Sequence, residues 1–256
     1  MYGQNKADNE INEAAKDLEQ IYRFGSQPVV SDYEAATAKL VDGTAGDTTL
    51  HQYADGLSMT LYPIVGQAID KPAANTSGMD YSYDQVDNDG VEWRMSDNTV
   101  KGREGVDRFT VGKQAFEASL KFSIADVSGT DDCAFGFAKV EAHAAAIDGR
   151  DESACLNVIS GDIKIETILN NAATTTTDTT ENWADTATHE LTVKVAKTGA
   201  VTYLIDGSAP DTTAAFSFDS GEVVTPSFYQ LQASDLSGAI VLQRLVVKSD
   251  NGSMED

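Results

Sequence analysis

The chain has 256 residues, 41% of them hydrophobic, which is enough for one large all-β sandwich plus an extra segment, or for two small domains. Its 41 acidic and 18 basic residues give a formal charge of -23, and the bases are scattered singly; such a chain repels phosphate backbones, which excludes nucleic acid as a partner. No run approaches the roughly 18 apolar residues that a membrane-spanning helix needs, and Met1-Tyr2-Gly3-Gln4-Asn5-Lys6 leads into no apolar stretch of signal-peptide type, so a soluble protein made in a cytoplasm is expected.

In chain order, the first pattern is helical. Ile11, Ala14, Ala15, Leu18, Ile21 and Tyr22 recur at three-to-four-residue spacing, which places them on one stripe. Asp8, Glu10 and Glu13 suit the start of that helix, and Gly25 and Pro28 its end. Ser31 and Glu34 form a capping box for a second, shorter helix that closes at Asp42-Gly43.

From about residue 50 the period changes to two. Phe116, Ala118, Leu120, Phe122 and Ile124 alternate with polar residues, as a strand with one face on a core requires. Cys133, Phe135 and Phe137 repeat the pattern, and both Cys133 and Cys155 read as buried free thiols. The threonine-rich stretch Ala172 to Thr180 is polar and favours extended backbone, so it belongs at the surface as an edge strand or a loop. Leu191, Val193 and Val195 lead through Lys197-Thr198-Gly199-Ala200 into Val201, Tyr203 and Ile205, a β-hairpin that ends at Asp206-Gly207. The run from Ala239 to Val247 is almost continuously apolar and predicts a central strand. Many short strands without helices between them indicate a sandwich.

Residues 113–248 resemble the concanavalin A-like, or laminin G-like, jelly roll. The resemblance is carried by Phe116 to Phe122, by Ala134-Phe135-Gly136-Phe137-Ala138 and by His189 to Val195. It continues in Tyr203-Leu204-Ile205-Asp206-Gly207, which matches a corner of that family, and in Val224 to Phe228 and Leu242 to Val247. The implied organisation is a helical arm over 1–50, connecting strands and loops over 51–112 and the jelly roll over 113–250. A variant of this domain occurs in structural proteins of tailed phages. The resemblance therefore implies a virion protein without enzymatic activity, a capsid decoration protein on the outer face of the major capsid protein shell, in contact with neighbouring copies. Its docking residues would be Ile11, Leu18, Ile21, Tyr22 and Phe24, because an unabsorbed amphipathic helix needs a partner for its apolar stripe. The alternative is a glycan-binding, receptor-recognition or fibre module, or a cellular carbohydrate-binding protein. In either, Trp93 and Trp183 would supply the aromatic platform.

Catalytic patterns are missing from the sequence. Asp162 and Glu166 flank Lys164 on one strand face and stand about 13 Å apart, too far for a glycosidase pair. Gly56-Leu57-Ser58-Met59-Thr60 lacks the closing glycine of a nucleophile elbow. His51, His143 and His189 have no metal-ligand spacing, so neither metal nor cofactor is expected as an obligatory part. Calcium is the one ion with candidate loops: Asp84/Asp87/Asp89/Gly90, Asp131-Asp132 and Asp148/Asp151/Glu152. The first departs from the EF-hand pattern at Gln85 and Ser96.

Overall fold

Alternation along the strands sets up the architecture. Phe116, Ala118, Leu120, Phe122 and Ile124 are all buried, as are Cys133, Phe135 and Phe137 and then Leu191, Val193 and Val195. In a computed structural model, residues 17–23, 49–52, 58–64, 73–75, 78–80, 87–95, 108–234 and 240–250 are described. The first strands are β1 (Asp17–Arg23), β2 (Thr49–Gln52), β3 (Ser58–Ile64), β4 (Ala73–Asn75), β5 (Gly78–Asp80), β6 (Gly90–Arg94) and β7 (Phe109–Thr110). The central ones follow as β8 (Phe116–Ile124), β9 (Thr130–Lys139), β10 (Ser153–Ile159), β11 (Asp162–Ile168) and β12 (Thr175–Asn182). The chain then runs through β13 (Thr188–Val195), β14 (Val201–Ile205), β15 (Val223–Gln232) and β16 (Ile240–Asp250).

Among the described residues these strands make two antiparallel sheets. One has seven strands, ordered β14-β13-β8-β16-β5-β4 with β1 also on β16; the other has nine, ordered β12-β11-β10-β9-β15-β6-β3-β2 with β7 also on β15. Strands from the connecting segment are thus woven into the same two sheets as those after residue 113. Between the sheets lies an aromatic core. Phe122 meets Trp183 with ring centroids 4.5 Å apart and Phe228 edge-on at 5.9 Å, and Trp93 stacks on Phe228 at 5.8 Å. Such pairs add about 0.5–1.5 kcal/mol each beyond the area they bury. The β13–β14 hairpin forms with Val195 opposite Val201, and Gly199 at φ 92° supplies the left-handed turn residue. The threonine-rich stretch contributes β12, the exposed outer strand of the nine-stranded sheet. β16 lies inside its sheet, between β8 and the pair β1 and β5.

The N-terminal arm is where the structure departs from the helical pattern. Residues 17–23 are a strand, paired from Asp17 opposite Asp250 to Arg23 opposite Arg244. A short helix has only its own backbone bonds and is marginal in water, whereas the open side of β16 offers a complete ladder of donors and acceptors. The spacing of Leu18 and Tyr22 fits a period of two as well as one of 3.6. Local pattern leaves the choice open, and the neighbouring strand makes it. Ile11, Phe24 and the second predicted helix lie outside the described residues.

Candidate functional site

Two polar constructions stand out, one closed and one open. The closed one covers the outer face of the nine-stranded sheet, opposite the aromatic core. Along β6, Val91, Trp93 and Met95 point into the core, which turns Glu92 and Arg94 to the other face; both are nevertheless 0% exposed. The cover is the segment from Val140 to Arg150, which includes a single 3-10 turn at Ile147–Gly149. Ile147 packs with Ile64, Ala134, Cys155 and Tyr229, and the Tyr229 hydroxyl donates to the Ala145 carbonyl at 3.0 Å. The His143 ring lies parallel to Tyr62 at 5.1 Å.

Glu92 is the hub of this layer. It accepts from Arg94 Nε at 2.8 Å and from Arg150 Nη2 at 2.6 Å, and its other oxygen is 3.1 Å from His143 Nδ1. Burial alone would raise its pKa, but Arg150, Arg94 and His143 outweigh burial and hold the carboxyl well below the usual range. Arg150 also donates to Ser227 at 2.9 Å, and Arg94 to the carbonyl of Glu141 at 2.9 Å. Further along the same face, Asn157 donates to Asp132 at 2.5 Å and to Glu166 at 2.8 Å, and burial pushes Asp132 up to about 6. Most of these polar atoms are engaged with one another, although Arg94 Nη2 and Arg150 Nε are buried without a partner; the arrangement is that of a structural layer.

The open construction is a cleft of about 190 Å³ on the side of the sandwich where β12 of one sheet passes β13 and β14 of the other. Ile205 and Ala209 give it a small apolar patch, with Ile163 and Pro210 buried beneath, and Glu181, Asn182, His189, Asp206 and Ser208 give it polar walls. A bulge shapes one wall. Asp162 pairs with Asn182 and Lys164 with Asp178, which leaves residues 179–181 opposite Ile163 alone. Thr179 turns inward to donate to the Ile163 carbonyl, Thr180 is forced to φ 68°, and Glu181 and Asn182 are aimed at the cleft. A β-branched residue at positive φ is a genuine outlier.

The opposite wall is built by the hairpin end. Asp206 sits at φ 51°, accepts from the Glu190 amide at 2.8 Å and lies 2.6 Å from His189 Nδ1. Burial raises Asp206, but the hydrogen bonds from His189 and Glu190 and the charges of His189 and Lys121 prevail, so it stays below its ordinary value. The His189 ring is fixed in turn by an edge contact with Trp183 at 4.7 Å. Thr180 thus holds one wall in the left-handed region at a cost of order 1–3 kcal/mol, whereas Asp206 takes the positive φ that suits an Asp-Gly turn.

The residues that the sequence suggested fall elsewhere. Trp93 and Trp183 are 0% and 2% exposed and pack in the inter-sheet core, so neither presents an aromatic platform to solvent. Both rings are needed inside because the core of so wide a sandwich must be filled to native density. Leu18, Ile21 and Tyr22 lie on β1, opposite Ser249, Val246 and Leu245, and do not form a free helical stripe. Cys133 and Cys155 are buried and unpaired, on opposite faces of one sheet, and burial pushes both thiols up. Among the described residues no three His, Cys, Asp or Glu side chains come together as a metal site. Of the acidic loops, Asp84 lies outside the described residues, while Asp87 and Asp148 are exposed. Glu166 finds its acidic neighbour across the sheet, through Asn157, and not along its own strand at Asp162. The cleft residues Glu181, Asn182 and Ser208 carried no signal in the sequence, although the Asp206-Gly207 corner marked where one wall would turn.

No protein-family model and no curated protein matches the sequence. Solved structures do match the fold. Lectin II from Ulex europaeus superposes with a TM-score of 0.52 at 11% identity, over 92% of this chain and 100% of that one. The fold is a lectin-like, concanavalin A-like jelly roll. The exoplasmic/lumenal domain of VIP36, in a Ca2+/Man3GlcNAc-bound form, gives 0.49 at 9% identity over 77% of this chain and 85% of that one. The carbohydrate recognition domain of Emp46p, in a metal-free form, gives 0.48 at 8% identity over 74% and 87%. At these identities the likeness establishes architecture alone.

Proposed function

We propose that this protein is a glycan-recognition module that binds without turnover, with the cleft between β12 and the β13–β14 end as its site. The observation that carries the reading is the shaped wall: the bulge at Thr180, a left-handed β-branched residue, and the Asp206-Gly207 turn hold polar side chains around a small apolar patch on an exposed rim. Sugars suit such a site because their rings offer apolar C–H faces to Ile205 and Ala209 and hydroxyls to Asn182, Asp206 and Ser208. The volume, about 190 Å³, is below the roughly 300–1,000 Å³ of a drug-sized pocket and fits one terminal ring. The lectin-like fold is in keeping with this role.

The test is a glycan array probed with the intact chain, followed by titration of the best hit into Asn182→Ala and Ser208→Ala. Both residues are exposed, so these variants should fold normally and lose about 1 kcal/mol of binding for each hydrogen bond removed. Binding that is undiminished in both variants removes the cleft from the proposal, and an empty array removes the function. Where the module works is a separate matter. On a phage particle, among neighbouring copies and against the major capsid protein, it would band with DNA-filled particles in a density gradient. A free module would remain at the top.

A further inference from the structure

We infer that the cleft selects a sugar unit bearing a basic amino group over neutral and acidic sugars; this rests on the glycan-recognition reading. The charges that face the cleft are unbalanced. Glu181, Asp206 and the titratable His189 line it and no lysine or arginine does, while His189 and, from outside the lining, Lys121 act on Asp206. Asp206 has committed its two oxygens to His189 and the Glu190 amide. The Glu181 carboxylate is different: its backbone amide donates to Thr179 at 3.2 Å, but the carboxylate has no hydrogen-bond or ion-pair partner among the described residues. It is half-buried and directed at the cleft by the bulge, so it is a preplaced acceptor with nothing to accept from.

Three classes of sugar meet this wall differently. An acidic sugar brings a carboxylate beside that of Glu181, which no cation in the lining answers, and in the field of a chain with net charge -23. A neutral sugar gains ordinary hydrogen bonds. A sugar whose amine is protonated gains a charge-assisted bond to Glu181, the stronger kind. Because the cleft is open to water, the gain resembles that of an exposed ion pair, about two- to fivefold in affinity.

The experiment is calorimetric titration of the intact chain with glucosamine, N-acetylglucosamine, glucose and glucuronate, and with the galactose counterparts, at about pH 6 where a sugar amine is protonated. The expected order is amine tightest and uronate weakest, with the N-acetyl form, which has lost the charge, grouped with the neutral sugar. The Glu181→Gln substitution should bring the amino sugar down to the neutral level, and added salt should shrink the difference. Equal affinity for amino and neutral sugars, or a preference for the uronate, overturns the selectivity and leaves glycan recognition standing. Failure of every sugar to bind overturns both.

Discussion

The covered layer around Glu92 and the rim cleft around Glu181 use the same residue types to opposite ends. Glu92 has two arginines and a histidine at bonding distance and no exposure. Glu181 has an open carboxylate and a wall that is bent to present it. A buried charge is tolerable only when its partners come with it, so the first group is closed upon itself and contributes to the fold. A charge at the rim keeps much of its hydration and needs no partner, so it remains free for a ligand. Polarity alone does not mark a site; an unanswered polar group on a shaped wall does.

The sharpest way to break this contrast is Glu92→Ala. It leaves Arg94 and Arg150 buried without their counter-charge, and a loss of about 3–5 kcal/mol is expected in chemical denaturation. A loss below about 1 kcal/mol would mean that the layer is not held by its charges.

Acid titration sharpens it next, because the buried carboxyls pull in opposite directions. Glu152 has both oxygens buried and without a hydrogen-bond partner, and burial together with the charge of Glu222 pushes it up to about 7. The folded state then holds a proton that the unfolded chain releases, so stability falls as pH rises from 4.5 to about 7. Asp132 adds the same sign between 3.8 and about 6. Glu92, held low, acts the other way: its stabilisation is present above 4.5 and is lost on acidification. Summed over these three groups, the melting temperature should therefore peak near about pH 4, and Glu152→Gln should flatten the decline on the alkaline side. A decline that persists in Glu152→Gln assigns it to another group.

The smallest expected effect is at the cleft. Thr180→Gly releases a left-handed β-branched residue, a gain of order 1–3 kcal/mol, offset by the roughly 0.5–1 kcal/mol that glycine loses to chain entropy. A net stabilisation of about 1 kcal/mol with weaker glycan binding would show that the strain serves the site. Lower stability would show that the bulge is ordinary edge geometry.

Local sequence was enough to name the core faces of the central strands. Alternation in Phe116 to Ile124, in Cys133 to Phe137 and in Leu191 to Val195 is a one-dimensional property, and the core faces it names are the buried ones. The Gly199 turn and the Asp206-Gly207 corner were equally local, since they depend on which residues accept positive φ. Tertiary structure decided the rest. Leu18 to Tyr22 satisfied two periods at once, and only the open side of β16 selected the strand. Strand β6 was not read from the sequence, and whether its Glu92 and Arg94 meet water or a cover depends on a segment some 50 residues away. Trp93 and Trp183 sat in polar surroundings along the chain and in apolar ones in space. The cleft joins residues of four strands and a turn, and the bulge that aims Glu181 exists only because β12 must stay in register with β11 while Thr179 caps Ile163. Periodicity records which way a side chain points from its own strand. What it meets there is set by chain that is distant in sequence, and that is where the site is made.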